Sequence, residues 1–184
     1  LDVPRTIKAF DKIGIKNIVN DTGHNYHHSF FYDFEIGQIS EDTFLQSLSN
    51  ISKKSNSFKV IKQAWNAMIL NIPEDRVNFI IGLKVAHNLF LLSNTNSIHQ
   101  NKFLSEFEEK FKYSFNNLFQ RAYYSHEIGM RKPGQKVFEF VLKDSELIAE
   151  ETLFVDDSLT NIKSAENAGM NTFHIKNYNI KSIL

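Results

Sequence analysis

After residue 86, four short apolar runs alternate with helical stretches, and this alternation most constrains the fold. The runs are "HNLFLLSN", "FQRAYYS", "TLFVDD" and "NTFHIK". Strands that alternate with helices predict βαβ units and therefore a parallel sheet covered by helices. The unbroken apolar stretch in the first run further predicts a strand buried on both faces. We expect an α/β, Rossmann-like core.

Helices are expected between these strands. One should cover roughly residues 98–114, the next should open at Pro133, and "SLTNIKSAENA" should form a third that is closed by Gly169. Proline is favoured at the start of a helix and glycine just after its end.

The sequence before residue 86 predicts mainly helices. Apolar residues recur at helix spacing up to Gly14, and Ser40 is placed to cap a helix that follows the terminator Gly37. Another helix should cover about residues 26–36, and one should start at Pro73. We therefore predict a helical cap beside the core, divided as follows: 1–14 the start of the cap or a linker, 15–80 the cap, and 81–184 the core.

Composition excludes several classes of protein. Lys plus Arg equals Asp plus Glu at 21 each, so no strong field points to nucleic acid or to an acidic membrane surface. No apolar stretch approaches the roughly 20 residues of a membrane span, and the first residues lack the apolar segment of a signal peptide. The absence of cysteine fits a reducing compartment. A cytoplasmic location is expected; the oligomeric state is not predicted.

Polar side chains stand at the ends of three predicted strands. The first strand ends at Ser93 and Asn94, the second leads to Lys132, and the third ends at Asp156 and Asp157. Ligands of parallel α/β sheets bind outside the carboxyl ends of the strands. A hydroxyl, a cation and two carboxylates at that edge suit a phosphate group together with a divalent cation.

Each of these residues also has a purely structural interpretation. Ser93 or Thr95 could cap the next helix, Lys132 could be a solvated loop lysine, and Asp157 could be a helix cap. If these interpretations were correct, polar residues of three separate segments would all lie at predicted strand ends by chance. The joint functional interpretation is therefore favoured.

The adjacent carboxylates of Asp156 and Asp157 repel one another. At about 4 Å and an effective dielectric of about 20, the repulsion is roughly 4 kcal/mol. A divalent cation bound by both would offset this cost, and Mg²⁺ prefers carboxylate oxygens.

Three segments resemble motifs two, three and four of the haloacid dehalogenase-like superfamily: "LFLLSNTN", "YYSHEIGMRKPGQKVFEFVL" and "ETLFVDDSLTNIKSAENAGMNTFHIK". The branch that contains α-D-glucose-1-phosphate phosphatase is the most similar. "FYDFEIGQIS" and "AWNAMILNIPEDR" resemble the helical cap of that branch. The resemblance covers nearly the whole chain.

The resemblance implies a role for each matched residue. The family transfers a phosphoryl group to an aspartate and then hydrolyses the aspartyl-phosphate. Ser93 would donate its hydroxyl, and Asn94 its backbone N–H, to the phosphate, while Lys132 would offset charge on the phosphate and the nucleophile. Asp157 would bind Mg²⁺ directly, and Asp156 directly or through water. The substrate would be a small phosphomonoester, and a sugar phosphate is one candidate.

The family's first motif, a strand that ends in the nucleophilic aspartate, has no counterpart in the chain. In the family this strand lies between the strand that ends at Ser93 and the one that ends at Asp156. Asp2 matches a position after the motif and is not expected to be the nucleophile. We expect the natural protein to carry the strand upstream of Leu1; the alternative is a non-catalytic relic that binds phosphate and Mg²⁺.

Two other classes of protein share part of this pattern. True haloacid dehalogenases need no metal and do not keep an acidic pair for one. Phosphoacceptor domains of response regulators use a similar set of residues, but in the order acidic pair, hydroxyl, lysine, and they have no helical cap. The order hydroxyl, lysine, acidic pair in this chain decides against them.

The remaining candidates are histidines and aromatic residues of the predicted cap. His24, His27 and His28 have helix-compatible spacing, but no further metal ligand accompanies them; an ordinary surface or interdomain role is favoured over a metal site or a contact with a sugar. His126 could touch the substrate or simply belong to its loop. Trp65 and the stretch "SFFYDF" are expected in the core of the cap.

Overall fold

A computed structural model describes residues 1–18 and 26–176 of the chain. In these ranges the helices are α1 (Val3–Lys12), α2 (Ser29–Glu35), α3 (Glu41–Ile51), α4 (Phe58–Trp65), α5 (Glu74–Leu83), α6 (Ser97–Phe111), α7 (Ser125–Ile128), α8 (Gln135–Asp144) and α9 (Leu159–Asn167). The strands are β1 (Phe90–Ser93), β2 (Arg121–Tyr124), β3 (Leu153–Asp156) and β4 (Asn171–His174). Short 3₁₀ turns cover Asn66–Met68, Phe115–Leu118 and Ala149–Glu151.

The cap helices begin and end where local chemistry favours it. Ser40 caps α3 by accepting a hydrogen bond from the Thr43 N–H, as predicted. Asp2 caps α1 through the Arg5 N–H. Gly14 and Gly37 follow α1 and α2 with φ of 84° and 69°, a backbone conformation that glycine adopts without steric cost.

Some predicted helix bounds were wrong. Helix α8 begins at Gln135 rather than at Pro133, because a turn closed by the Gly134 N–H and the Arg131 carbonyl precedes it. Helix α6 ends at Phe111, because Lys112 adopts a left-handed φ of 65°. Helix α2 is shorter than the predicted 26–36, since His28 is extended.

The strands pair in parallel, which confirms the predicted α/β class. Strand β1 pairs with β2 from Phe90↔Arg121 to Ser93↔Tyr124. Strand β3 pairs with β4 from Leu153↔Asn171 to Asp156↔His174. Within each pair, the carboxyl ends of the two strands therefore lie at the same edge.

The two strand pairs are separate sheets within the described residues. Strands β1 and β3 thus each use only one edge for strand pairing. Every residue of β1 is only partly buried, so the prediction of a strand buried on both faces was wrong. One edge of β1 has no strand partner among the described residues, so its side chains lack neighbours on that side. Leu153 of β3 is likewise half exposed.

Three hydrophobic clusters hold the described residues together. The largest lies in the cap, where Trp65 is buried among phenylalanines that include Phe31 and Phe34, as predicted. A second cluster joins the strand pairs, since Leu92 of β1 packs against the same group as Phe154 of β3. In the third, Val77 of α5 is buried with Phe107 and Leu118, so α5 packs on the core side of the molecule.

Helix α1 packs with the cap. The Thr6 hydroxyl lies 3.1 Å from the Ala64 carbonyl and 3.0 Å from that of Trp65, and it accepts a hydrogen bond from the Met68 N–H. None of the helices in the described ranges is long and apolar enough to cross a membrane.

Candidate active site

An ion pair joins the loop before α8 to the end of β3. The Lys132 Nζ lies 2.7 Å from the Asp156 Oδ2, and the two side chains are 12% and 6% exposed. Lys132 is therefore not a solvated loop lysine. Its ammonium also lies 5.4 Å from the centre of the Phe154 ring, so an aromatic face contacts the cation.

Asp156 remains charged although it is buried. Burial by itself would raise the pKa of its carboxyl, but the Lys132 charge and hydrogen bond, together with donors from two further residues, hold the pKa below its usual value. Those donors are the Ser158 N–H at 2.8 Å and the Asn161 Nδ2 at 3.0 Å, both to Oδ1. The pair thus presents a fixed cation and a fixed anion at the sheet edge.

The Asn94 side chain fixes the backbone of Lys132. Its Oδ1 accepts from the Lys132 N–H at 2.9 Å, and its Nδ2 donates to the Lys132 carbonyl at 2.8 Å. The sequence assigned only the backbone of Asn94 to the site, so this role of the side chain was missed. It places Lys132 next to the end of β1, where Ser93 is the last strand residue.

The loop after β1 is held by a second reciprocal contact. The buried Ser125 hydroxyl donates to the Thr95 carbonyl at 2.8 Å and accepts from the Thr95 N–H at 2.9 Å. Asn96 caps α6, so the alternative that Ser93 or Thr95 is the cap was wrong. Within the described part of the chain the Ser93 hydroxyl has no hydrogen-bond partner, so it is free to bind a ligand.

Asp157 differs from Asp156 in its surroundings. It is exposed, and its carboxylate has no hydrogen bond or ion pair with any other residue in the described ranges. Ser158 caps α9, so Asp157 is not the cap. The backbone carbonyl of Asp157 accepts a hydrogen bond from the His174 ring at 3.1 Å.

The oxygen atoms at this edge suit a hard divalent cation. Mg²⁺ is bound in many enzymes by one or two carboxylates, with water and substrate phosphate as the other ligands. Asp157 offers a free carboxylate beside the charged Asp156, and this donor set fits Mg²⁺. Within residues 1–18 and 26–176, no group of three or more His, Cys, Asp or Glu side chains could hold a metal by itself.

Two of the histidine candidates contact residues other than Lys132, Asp156 and Asp157. His28 stacks on Phe30 at 5.2 Å, and His24 lies outside the described residues. His126 contacts the Gln100 side chain at 3.0 Å.

A buried polar contact between cap and core was not foreseen. Trp65 stacks on His99 at 4.6 Å, and its Nε1 donates to the Asn96 Oδ1 at 3.4 Å. That oxygen also accepts from the His99 N–H, which leaves the Asn96 Nδ2 to donate to the His99 Nδ1 at 3.1 Å. The His99 Nε2–H then donates to the Trp65 carbonyl at 3.1 Å. Burial lowers the pKa of His99 to about 4, which keeps the ring neutral.

The profile of haloacid dehalogenase-like hydrolases matches residues 14–175. The chain belongs to this family. The predicted resemblance is therefore confirmed, and so is the α/β fold with a helical cap that the family's solved structures share with it.

A curated relative and a solved structure each match over nearly all of the chain. D-ribitol-5-phosphate phosphatase of Bacteroides thetaiotaomicron is 30% identical over 178 residues, which are 96% of this chain and 86% of that protein. A crystal structure of a mutant family enzyme from B. thetaiotaomicron, in complex with magnesium and inorganic phosphate, superposes with a TM-score of 0.92 at 30% identity. It covers 100% of this chain and 91% of the other.

A predicted family hydrolase from Porphyromonas gingivalis has the same fold. Its TM-score is 0.87 at 28% identity, over 100% of this chain and 89% of that one.

Proposed function

We propose that the protein is a Mg²⁺-dependent phosphatase that hydrolyses a small phosphomonoester. The observation that carries the proposal is the buried Lys132–Asp156 ion pair at the carboxyl ends of the strands, beside the uncommitted carboxylate of Asp157. Membership of a hydrolase family and the magnesium and phosphate complex of a relative support it.

The phosphate would be bound between β1 and the Lys132 loop. The Ser93 hydroxyl and the Asn94 N–H would donate to its non-bridging oxygens. Lys132 would stabilise the negative charge on the transferring group, and Asn94 and Asp156 hold this lysine in place before substrate arrives. A preorganised cation needs little rearrangement in the transition state.

Asp157 and Asp156 would bind the Mg²⁺, Asp157 directly and Asp156 directly or through water. The ion would neutralise phosphate charge and orient the phosphate for in-line attack. Asp156 already has its Oδ2 on Lys132 and its Oδ1 on Ser158 and Asn161, which makes Asp157 the freer ligand.

The nucleophile would be an aspartate at the end of a strand that lies between β1 and β3, encoded upstream of Leu1. Both strands have an edge without a strand partner in the described residues, and both end next to the residues proposed to bind phosphate and Mg²⁺. The carboxylate would displace the alcohol, which leaves with a proton; water would then attack the aspartyl-phosphate and release inorganic phosphate.

The relative that acts on D-ribitol 5-phosphate suggests the substrate class. A sugar phosphate, or the polyol phosphate related to it, is the substrate that we propose. The first assay is therefore phosphate release from D-ribitol 5-phosphate and from pentose and hexose phosphates, with and without Mg²⁺.

The decisive variants are Asp157→Ala and Lys132→Ala, assayed in the protein as the cell produces it. We expect each to lower kcat by about 10²–10³-fold or more, because each removes a fixed charge next to the reacting phosphate. Glu109→Ala and Lys163→Ala, which change exposed charges of the same sign on α6 and α9, should keep wild-type rates. Wild-type turnover in Asp157→Ala would contradict the metal assignment.

The covalent intermediate can be tested directly. Rapid quenching followed by borohydride reduction converts an aspartyl-phosphate to homoserine, which peptide mass spectrometry locates. A reduced residue upstream of Leu1 would support the proposal. A folded wild-type protein that binds phosphate and Mg²⁺ but turns over no phosphomonoester would instead be the non-catalytic relic.

A further inference from the structure

An ion pair between cap and core lies next to the proposed catalytic lysine. The Glu35 carboxylate, at the end of α2, contacts the Arg131 Nη1, and the two side chains are 14% and 29% exposed. Taking two charges out of water is costly, and a hydrophobic pair would stabilise such a contact as well. A role beyond stability would explain the choice of charged residues.

Arg131 continues the contact to the backbone of Lys132. Its Nε donates to the Lys132 carbonyl at 3.3 Å, and the same carbonyl accepts from the Asn94 side chain. The Lys132 ammonium meets Asp156 at the other end of the residue. A continuous set of contacts therefore runs from the cap, through Arg131, to the cation of the proposed site.

Helix α2 contributes more than the carboxylate. The ring of Tyr32 lies 5.6 Å from the Arg131 guanidinium, so one helix turn supplies an aromatic face and a carboxylate to the same arginine. Burial raises the pKa of Glu35, while the charge and hydrogen bond of Arg131 oppose that rise. Seating of the cap therefore buries the Glu35 carboxylate, and the Arg131 charge offsets part of the cost of that burial.

A second contact fixes how closely α2 approaches the core. Gly37, just after α2, lies against the carbonyl of His126 in α7, where a side chain would not fit. The backbones of cap and core touch at this point. Glu35 is two residues away, so the ion pair forms only when the cap is seated.

We propose that Glu35 and Arg131 are positioning residues that form a latch, through which closure of the cap sets the position of Lys132. The inference rests on the proposed function. The pair is formed in the structure, and any movement of the cap away from the core would break it. Asn94 and Asp156 already hold Lys132, and the latch adds a further constraint on its backbone when the cap is seated.

The first test compares Glu35→Gln with Glu41→Gln in the protein as the cell produces it. Glu41 pairs with Lys62 at 2.7 Å entirely inside the cap, which makes it a matched control. We expect Glu35→Gln to lower kcat by about 10- to 100-fold, since a small misplacement of a catalytic group has such an effect, with a smaller change in KM. Glu41→Gln should keep the wild-type kcat.

A double-mutant cycle separates a latch from two independent contacts. Arg131→Met removes both the contact to Glu35 and the contact to the Lys132 carbonyl. If the residues act as one unit, adding Glu35→Gln to Arg131→Met should lower kcat no further. Multiplicative effects of the two changes would overturn the proposal.

A measurement that does not require catalytic turnover tests the latch independently of the proposed function. Amide hydrogen exchange of the peptide that contains Lys132 reports its N–H, which is bonded to Asn94. Exchange should be faster in Glu35→Gln and unchanged in Glu41→Gln. Equal exchange in wild type and Glu35→Gln overturns the latch, whether or not the enzyme is active. A wild type that lacks Mg²⁺-dependent turnover contradicts the proposed function instead.

Discussion

At the scale of single residues, Asp156 and His99 are two buried ionisable groups that differ in charge state. Asp156 keeps its charge, because a lysine and two N–H donors favour the carboxylate over the acid. His99 gives up its charge, because its two ring nitrogens meet one donor and one acceptor, which suits the neutral ring. The contacts of Asp156 place a charged carboxylate in the candidate active site, and the contacts of His99 join the cap to the core.

His99 predicts a pH dependence of stability. Its folded pKa of about 4 lies below the unfolded value of about 6.5, so the unfolded chain binds the proton more readily at pH values in between. The contribution is therefore fully present above pH 6.5 and is lost as pH falls to about 4. We expect the free energy of unfolding to fall by about 3 kcal/mol from this group.

Denaturant unfolding at several pH values measures this contribution against His99→Phe, whose ring can still stack on Trp65 but cannot titrate. The variant should be less stable at pH 7, since it leaves polar partners unpaired. Its stability should also change less between pH 6.5 and 4. Parallel curves for the two proteins would contradict the assignment.

At the scale of elements, the approach of α2 to α7 decides how the cap meets the core. Gly37 makes this approach feasible for two reasons: its φ of 69° is unfavourable for other residues, and any Cβ would overlap the His126 carbonyl. The same contact brings Glu35 to Arg131, so one glycine sets the geometry of a charged contact two residues away.

Gly37→Ala should therefore destabilise the protein by about 2 kcal/mol or more, because it adds both backbone strain and overlap. Gly82→Ala is the matched control. Gly82 lies in α5 with open space around it, and alanine there should be neutral or stabilising by up to about 1 kcal/mol. Thermal melting compares the two variants. If Gly37→Ala is as stable as Gly82→Ala, the backbone around the His126 carbonyl must move to accommodate the added methyl group.

At the scale of the whole molecule, the main feature of the described structure is that its four strands form two separate pairs. Strands β1 and β3 each present an edge without a strand partner among these residues, and a shared cluster with Leu92 and Phe154 packs between them and the helices. Unpaired strand edges are templates for pairing with another chain. A strand between them would both complete the sheet and cover these groups.

Residues 1–184 expressed alone should therefore self-associate. We expect size-exclusion chromatography with light scattering to give an apparent mass that rises with concentration above the 21.4 kDa of a monomer. The protein with the proposed upstream strand should not show this rise through the same edges. A monomer of constant mass at all concentrations would mean that the edges are protected within the chain itself.

The local pattern of the sequence was sufficient for much of the fold. The apolar runs predicted all four described strands, because a β-strand is encoded by consecutive residues, and the Ser40 cap and Gly14 stop followed from single-residue preferences. The resemblance in the motif segments identified the family. Element ends were less accurate, as at α8, because the turn before it depends on a contact between Arg131 and Gly134.

Residues that act through distant partners could be found only in the tertiary structure. The sequence around Arg131 does not indicate that its partner is Glu35, which is far away along the chain. The Asn94 side chain meets Lys132 across 38 positions. The sequence by itself determined which strands end in a hydroxyl, a cation and a carboxylate pair, since that is local. Only folding decided that Lys132 reaches Asp156 while Asp157 stays free, because burial and pairing depend on which elements pack together.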